Sequence, residues 1–173
     1  ARALGLCGVG ELHPGVQGFD SSHPHWQELA DWCTAHKWPV NCHATAESGD
    51  HPGAVPTPLM DYLRMALQSP GLNIILAHWG GGLPLQASEL PDNLYFDCSA
   101  SPLLYSNDIF RKILDRAGPG QVLFGSDYPL RVYPRSQKQA DMKSYLQAIR
   151  DEAGLSDEEL AAVRLELRGQ VLG

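Results

Sequence analysis

Five short apolar runs, each followed by a loop and then a stretch with helical spacing, constrain this chain more than any other feature. The runs fall at residues 6–12, 39–43, 72–78, 94–98 and 121–127. Helical patterning lies between or after them, at about 26–37, 59–67, 107–116 and 136–152. In the first of these, Trp26, Leu29, Ala30 and Cys33 recur at the spacing that gathers side chains on one helix face. The runs are apolar nearly throughout instead of alternating, as expected of parallel strands covered on both faces or closed into a barrel. The reading is α/β: about five parallel βα units forming a single domain over residues 1–173, with a C-terminal helix. Ser156 and Glu159 form a capping box that predicts the start of that last helix, and Gly154 ends the helix before it.

Composition removes several classes. A net charge of -7 with no Lys/Arg-rich stripe argues against nucleic-acid binding, which draws its affinity from phosphate neutralisation. No apolar run approaches the ~20 residues needed to cross a bilayer, so no membrane partner is expected. The first residues, Ala1-Arg2-Ala3-Leu4, have neither the basic head nor the apolar stretch of a signal peptide. Cys7, Cys33, Cys42 and Cys98 form no Cys-x-x-Cys pair and are read as small buried hydrophobes in a reducing, cytoplasmic setting.

Chemistry is concentrated where the runs stop. His43 closes the second run, His78 the third and Asp127 the fifth. In parallel α/β architectures the carboxyl ends of separate strands converge on one face, and active sites are built there. Imidazole nitrogen and carboxylate oxygen are both zinc ligands, and a catalytic site needs about three of them plus an open position. Glu11 and His13 end the first run with the same parity, so both are expected to face the barrel interior. They are read as metal or substrate residues, with plain hydrogen bonding to neighbouring side chains as the competing role. Asp97 ends the fourth run with ambiguous parity.

Three segments carry a resemblance: Pro39-Val40-Asn41-Cys42-His43-Ala44, Leu76-Ala77-His78-Trp79-Gly80-Gly81-Gly82 and Leu123-Phe124-Gly125-Ser126-Asp127-Tyr128-Pro129. Together they resemble the amidohydrolase superfamily, specifically its amidohydrolase-2 branch of hydrolases and nonoxidative decarboxylases. The resemblance implies a (β/α)8 TIM barrel with a divalent metal, usually zinc, at its carboxyl face. It implies His43 as the fifth-strand metal ligand and His78 as the sixth-strand histidine. Asp127 corresponds to the eighth-strand aspartate, which binds metal and handles protons. Gly10-Glu11 is similar to the Gly-Glu motif that related metal-dependent nucleases of the superfamily use as a ligand.

The chain departs from that pattern at its start. Family members carry a His-x-His pair on the first strand, whereas this sequence is expected to begin near the fourth strand and to hold a partial barrel, strands 4 to 8. A complete barrel of this kind takes about 250 residues, against 173 here. His23-Pro24-His25 has matching letters but stands just before a helix, and is expected to open it. Gly80-Gly81-Gly82 either lets backbone approach a ligand or makes a tight turn. Arg131, with Arg135 and Lys138, follows Asp127 and is a candidate for holding a substrate carboxylate, against the alternative of a solvated loop.

The expected activity is metal-dependent hydrolysis of a small amide-, ester- or lactone-like substrate, with Asp127 as general base and acid. Nonoxidative decarboxylation on the same framework is the close rival. A catalytically incomplete half-barrel is the alternative from another class. Open sheet edges predict a homo-oligomer.

Overall fold

The structure, a computed structural model, describes residues 2–46, 54–129 and 138–169. Five parallel strands form one sheet in chain order: β1 (Val9–Leu12), β2 (Val40–Cys42), β3 (Ile74–Leu76), β4 (Leu94–Asp97) and β5 (Val122–Leu123). The helices are α1 (Pro14–Gln17), α2 (Pro24–His36), α3 (Leu59–Gln68), α4 (Leu83–Gln86), α5 (Ser101–Leu104), α6 (Ile109–Ala117), α7 (Met142–Glu152) and α8 (Asp157–Gly169). This is the alternation expected from the sequence, with each apolar run supplying one strand.

The two faces of the sheet differ sharply. Val40, Cys42, Ile74, Leu76, Leu94, Phe96 and Val122 are fully buried on one face. They pack with Trp26, Ala30 and Cys33 of α2, Tyr62 and Met65 of α3, Phe110 and Ile113 of α6 and Tyr145 of α7. The other face carries Asn41, Ile75 and Tyr95 in register, then Asp97 opposite Leu123. Among the described residues, a small apolar cluster of Ile75, Tyr95 and Leu123 forms there. Strand alternation therefore sends the helix-facing residues into one core and leaves Asn41, Asp97 and the Ile75, Tyr95 and Leu123 cluster on the second face.

Local signals behave as local physics requires. His23 caps α2 by accepting from His25 N at 3.2 Å, and Pro24 follows at the first turn, so His-Pro-His does open a helix. The capping box is reciprocal: Ser156 N donates to Glu159 Oε2 at 2.9 Å and Glu159 N to Ser156 Oγ at 3.2 Å. Cys33, Cys42 and Cys98 are buried as expected, but Cys7 is exposed. The reason is that pairing in β1 begins only at Val9, so Cys7 lies before the covered part of the sheet. No helix among the described residues is long and apolar enough to cross a membrane.

Candidate active site

Because all five strands are parallel, their carboxyl ends share one edge of the sheet. Glu11 and His13 stand at that end of β1, His43 after β2, His78 after β3, Asp97 at the end of β4 and Asp127 beyond β5. The first two are aimed by an irregularity in β1. Val9 pairs with Val40 and Leu12 with Cys42, so three steps on β1 match two on β2. That bulge keeps both Val9 and Leu12 against the helix-side core and turns Glu11 and His13 to the opposite face. Gly10 makes the bulge possible: a Cβ there would stand 2.8 Å from both the Cβ and the carbonyl oxygen of Asn41.

Four side chains meet on that face. Glu11 Oε1 lies 2.8 Å from His43 Nδ1 and 3.9 Å from His78 Nε2. The His13 and His43 rings stack with centroids 4.2 Å apart, and His78 meets His43 edge-on at 4.8 Å. Ligating atoms of Glu11, His13 and His43 all fall within 4.8 Å of one another. The hydrogen bond from His43 holds the Glu11 carboxyl below its ordinary value against the opposing effect of burial, helped by the charges of His43, His78 and His13. Tyr62 on α3 donates its hydroxyl to the His43 carbonyl, tying the end of β2 to the helix layer.

His78 sits in a turn of left-handed backbone. His78, Trp79, Gly80, Gly81 and Gly82 all have positive φ. The glycines serve this turn: a Cβ on Gly81 would lie 2.3 Å from the Thr45 carbonyl oxygen, and one on Gly80 would lie 2.9 Å from the Phe96 ring. The close approach of backbone here is therefore to the protein's own loop after β2 and to the Phe96 ring of β4. Asp97, ambiguous in the sequence, belongs to this region. Its Oδ1 accepts from Ser99 N at 2.9 Å, from His78 N at 3.3 Å and from the Ser99 hydroxyl. Burial pushes the Asp97 carboxyl above its ordinary value, while the bonds from Ser99 and His78 oppose that rise.

With the geometry in place, the family assignment follows from comparison. The family model described as amidohydrolase matches residues 1–166. The chain belongs to the amidohydrolase family. No curated protein matches it by sequence. Among solved structures, 5-carboxyvanillate decarboxylase from Sphingomonas paucimobilis is 18% identical, with a TM-score of 0.62 over 98% of this chain and 57% of its own. A Pseudomonas putida structure provisionally named 2-pyrone-4,6-dicarboxylic acid hydrolase is 19% identical, at TM-score 0.63 over 94% and 61%. A dihydroxybenzoic acid decarboxylase from Polaromonas sp. JS666, solved with manganese and 2-nitroresorcinol, is 14% identical, at TM-score 0.56 over 83% and 52%. The chain thus spans between 52% and 61% of the length of these three structures. At such identities the likeness shows the fold: five βα units of a partial (β/α)8 barrel.

Within this amidohydrolase framework the donor set fits a divalent cation. Ligands 2.0–2.1 Å from a tetrahedral zinc stand roughly 3.4 Å from one another. Glu11, His13 and His43 offer one oxygen and two nitrogens that all lie within 4.8 Å of one another. His13, read from the sequence as a metal or substrate residue, lies in this group of possible metal ligands. His78 adjoins the group through Glu11. Asp127, half-buried with φ 57, follows β5 at the sheet edge opposite β1. Among the described residues, no hydrogen bond or ion pair joins it to Glu11, His13 or His43. Arg131 and Arg135 lie outside the described residues, and Lys138 is exposed.

Proposed function

We propose that the chain carries the carboxyl-end half of a metal-dependent hydrolase site acting on a small amide-, ester- or lactone-like substrate. The observation that carries this reading is the convergence of Glu11, His13 and His43 donors at the carboxyl ends of parallel strands. These three residues would hold the cation, zinc being the first choice for an N/N/O set. When bound, a divalent cation would supply Lewis acidity there. Glu11 orients the His43 ring through its 2.8 Å hydrogen bond. His78, with Nε2 facing the cluster, accepts a hydrogen bond from the attacking water and orients it. Asp127 accepts the proton lost by water as its oxygen bonds to the carbonyl carbon. That proton then passes to the nitrogen or oxygen leaving group as its bond to carbon breaks. The products are a carboxylic acid and an amine or alcohol.

Nonoxidative decarboxylation is the second reading, favoured by the decarboxylases among the similar structures. There Asp127 would deliver a proton to the carbon that loses carbon dioxide. The purified protein, supplied with zinc or manganese, is to be offered a pyrone dicarboxylate lactone and a dihydroxybenzoate in ¹⁸O-labelled water. Hydrolysis places one label in the new carboxyl group with no gas evolved. Carbon dioxide release with no water consumed would sink the hydrolase reading and establish the alternative.

The expected protein partner is a second copy of the chain. β1 and β5 stand at the edges of the sheet, and Leu4, Leu6 and Val16, near β1 in sequence, are exposed. Unpaired edges flanked by apolar side chains favour association. Light scattering should read a multiple of the protomer mass, and a monodisperse monomer would contradict it.

A further inference from the structure

We infer that Asp97 and Ser99 are positioning residues that set the tautomer and direction of the His78 ring. This rests on the functional reading of His78 given above. The Ser99 hydroxyl has one hydrogen, and it is directed to Asp97 Oδ1. The Ser99 oxygen is then left to accept, and it lies 3.1 Å from His78 Nδ1. The Ser99 carbonyl, which can only accept, lies 3.1 Å from the same nitrogen. Two acceptors converging on Nδ1 require that nitrogen to carry the proton. In the neutral ring the Nε2 lone pair is then presented on the side of Glu11, 3.9 Å from Oε1.

Backbone is fixed by the same carboxylate. Asp97 accepts from the His78 amide at 3.3 Å, across the β3–β4 boundary, where His78 adopts φ 56. Tyr105 donates to the His78 carbonyl at 3.2 Å from the other side. Gly125 closes the wall behind the carboxylate: a Cβ there would stand 3.1 Å from Asp97 Cγ. Among the described residues, Asp97 Oδ1 bonds to Ser99 and to the His78 amide. Hydrogen-bond partners of this kind around functional histidines typically contribute 10–100-fold.

The test uses the full ¹⁵N-labelled chain without metal or substrate, at about pH 8, above the ordinary histidine range. Long-range ¹⁵N–¹H correlation reads which ring nitrogen is protonated, and the spectrum of a His78→Gln variant assigns the resonance. Wild type and Ser99→Thr should both show His78 with a pyrrole-like Nδ1 and a pyridine-like Nε2. Ser99→Ala, which keeps only the backbone acceptor at Nδ1, and Asp97→Asn should both shift the His78 ring nitrogens toward averaged values. A wild-type ring protonated at Nε2, or an unchanged Nδ1–H tautomer in both Ser99→Ala and Asp97→Asn, would overturn the inference. Thermal unfolding of each variant shows that the folded state is being compared. The tautomer is read without turnover, so its failure is distinct from failure of the hydrolase reading.

Discussion

Glu11→Gln is expected to lower zinc affinity at least about 100-fold, close to 2.7 kcal/mol at 1.36 kcal/mol per decade. The amide keeps the shape and one acceptor oxygen but removes the only carboxylate in the group of Glu11, His13 and His43. It also replaces a charge-assisted bond to His43 Nδ1, 2.8 Å long, with a neutral one of about half the strength. Competition titration against a chromophoric chelator reads the affinity, and an unchanged value would remove Glu11 from the site. Acid stability should respond as well. The folded-state carboxyl of Glu11 is held below its ordinary 4.5, chiefly by the His43 hydrogen bond. Its contribution is therefore complete above about that pH and is lost as pH falls through the lower folded value. In Glu11→Gln that acid-side loss should vanish from the unfolding profile.

Gly81→Ala should destabilise the fold by about 3–4 kcal/mol. Two costs add. The backbone at φ +63 places a non-glycine residue in the left-handed region, at roughly 1–2 kcal/mol. A Cβ would also lie 2.3 Å from the Thr45 carbonyl oxygen, 2.5 Å from its carbon and 2.9 Å from Leu59 Cδ2. Two of those atoms are backbone in the loop after β2 and cannot rotate away, so overpacking of roughly 1–3 kcal/mol follows. Gly82→Ala is the matched control: its φ is +87, yet its nearest atom is Gln86 Nε2 at 3.9 Å. It should show the dihedral cost alone, about 1–2 kcal/mol. Urea unfolding of the pair separates the terms, and equal losses would refute the steric part. Because Gly81 follows His78 by three residues in one turn, any shift it forces also moves the imidazole.

What the sequence made legible was whatever depends on near neighbours or on strand period. The helix start at His23-Pro24 and the Ser156–Glu159 box are contacts within four residues, so their residue types suffice to place them. The shared parity of Glu11 and His13 is likewise a period-two argument, and both do face His43. Strand length was less accessible. The apolar run at 72–78 pairs only over Ile74–Leu76, because the chain turns into left-handed backbone at His78. The run at 121–127 pairs only over Val122–Leu123. The bulge that aims Glu11 depends on Gly10 passing close to Asn41, a contact across strands that no local pattern encodes. Asp97 was ambiguous for the same reason. Its direction is settled by register with Leu123 and by bonds to His78 and Ser99, nineteen and two residues away.

The central claim is that Glu11, His13 and His43 form one metal centre, and zinc-edge X-ray absorption on the zinc-loaded protein tests it most directly. The predicted shell contains two imidazole nitrogens and a carboxylate oxygen at about 2.0–2.2 Å, with any remaining position filled by another light atom. The two-imidazole signature should fall to one in His13→Ala. A shell containing sulfur at about 2.3 Å, or one whose imidazole count is unchanged by His13→Ala, would contradict the account.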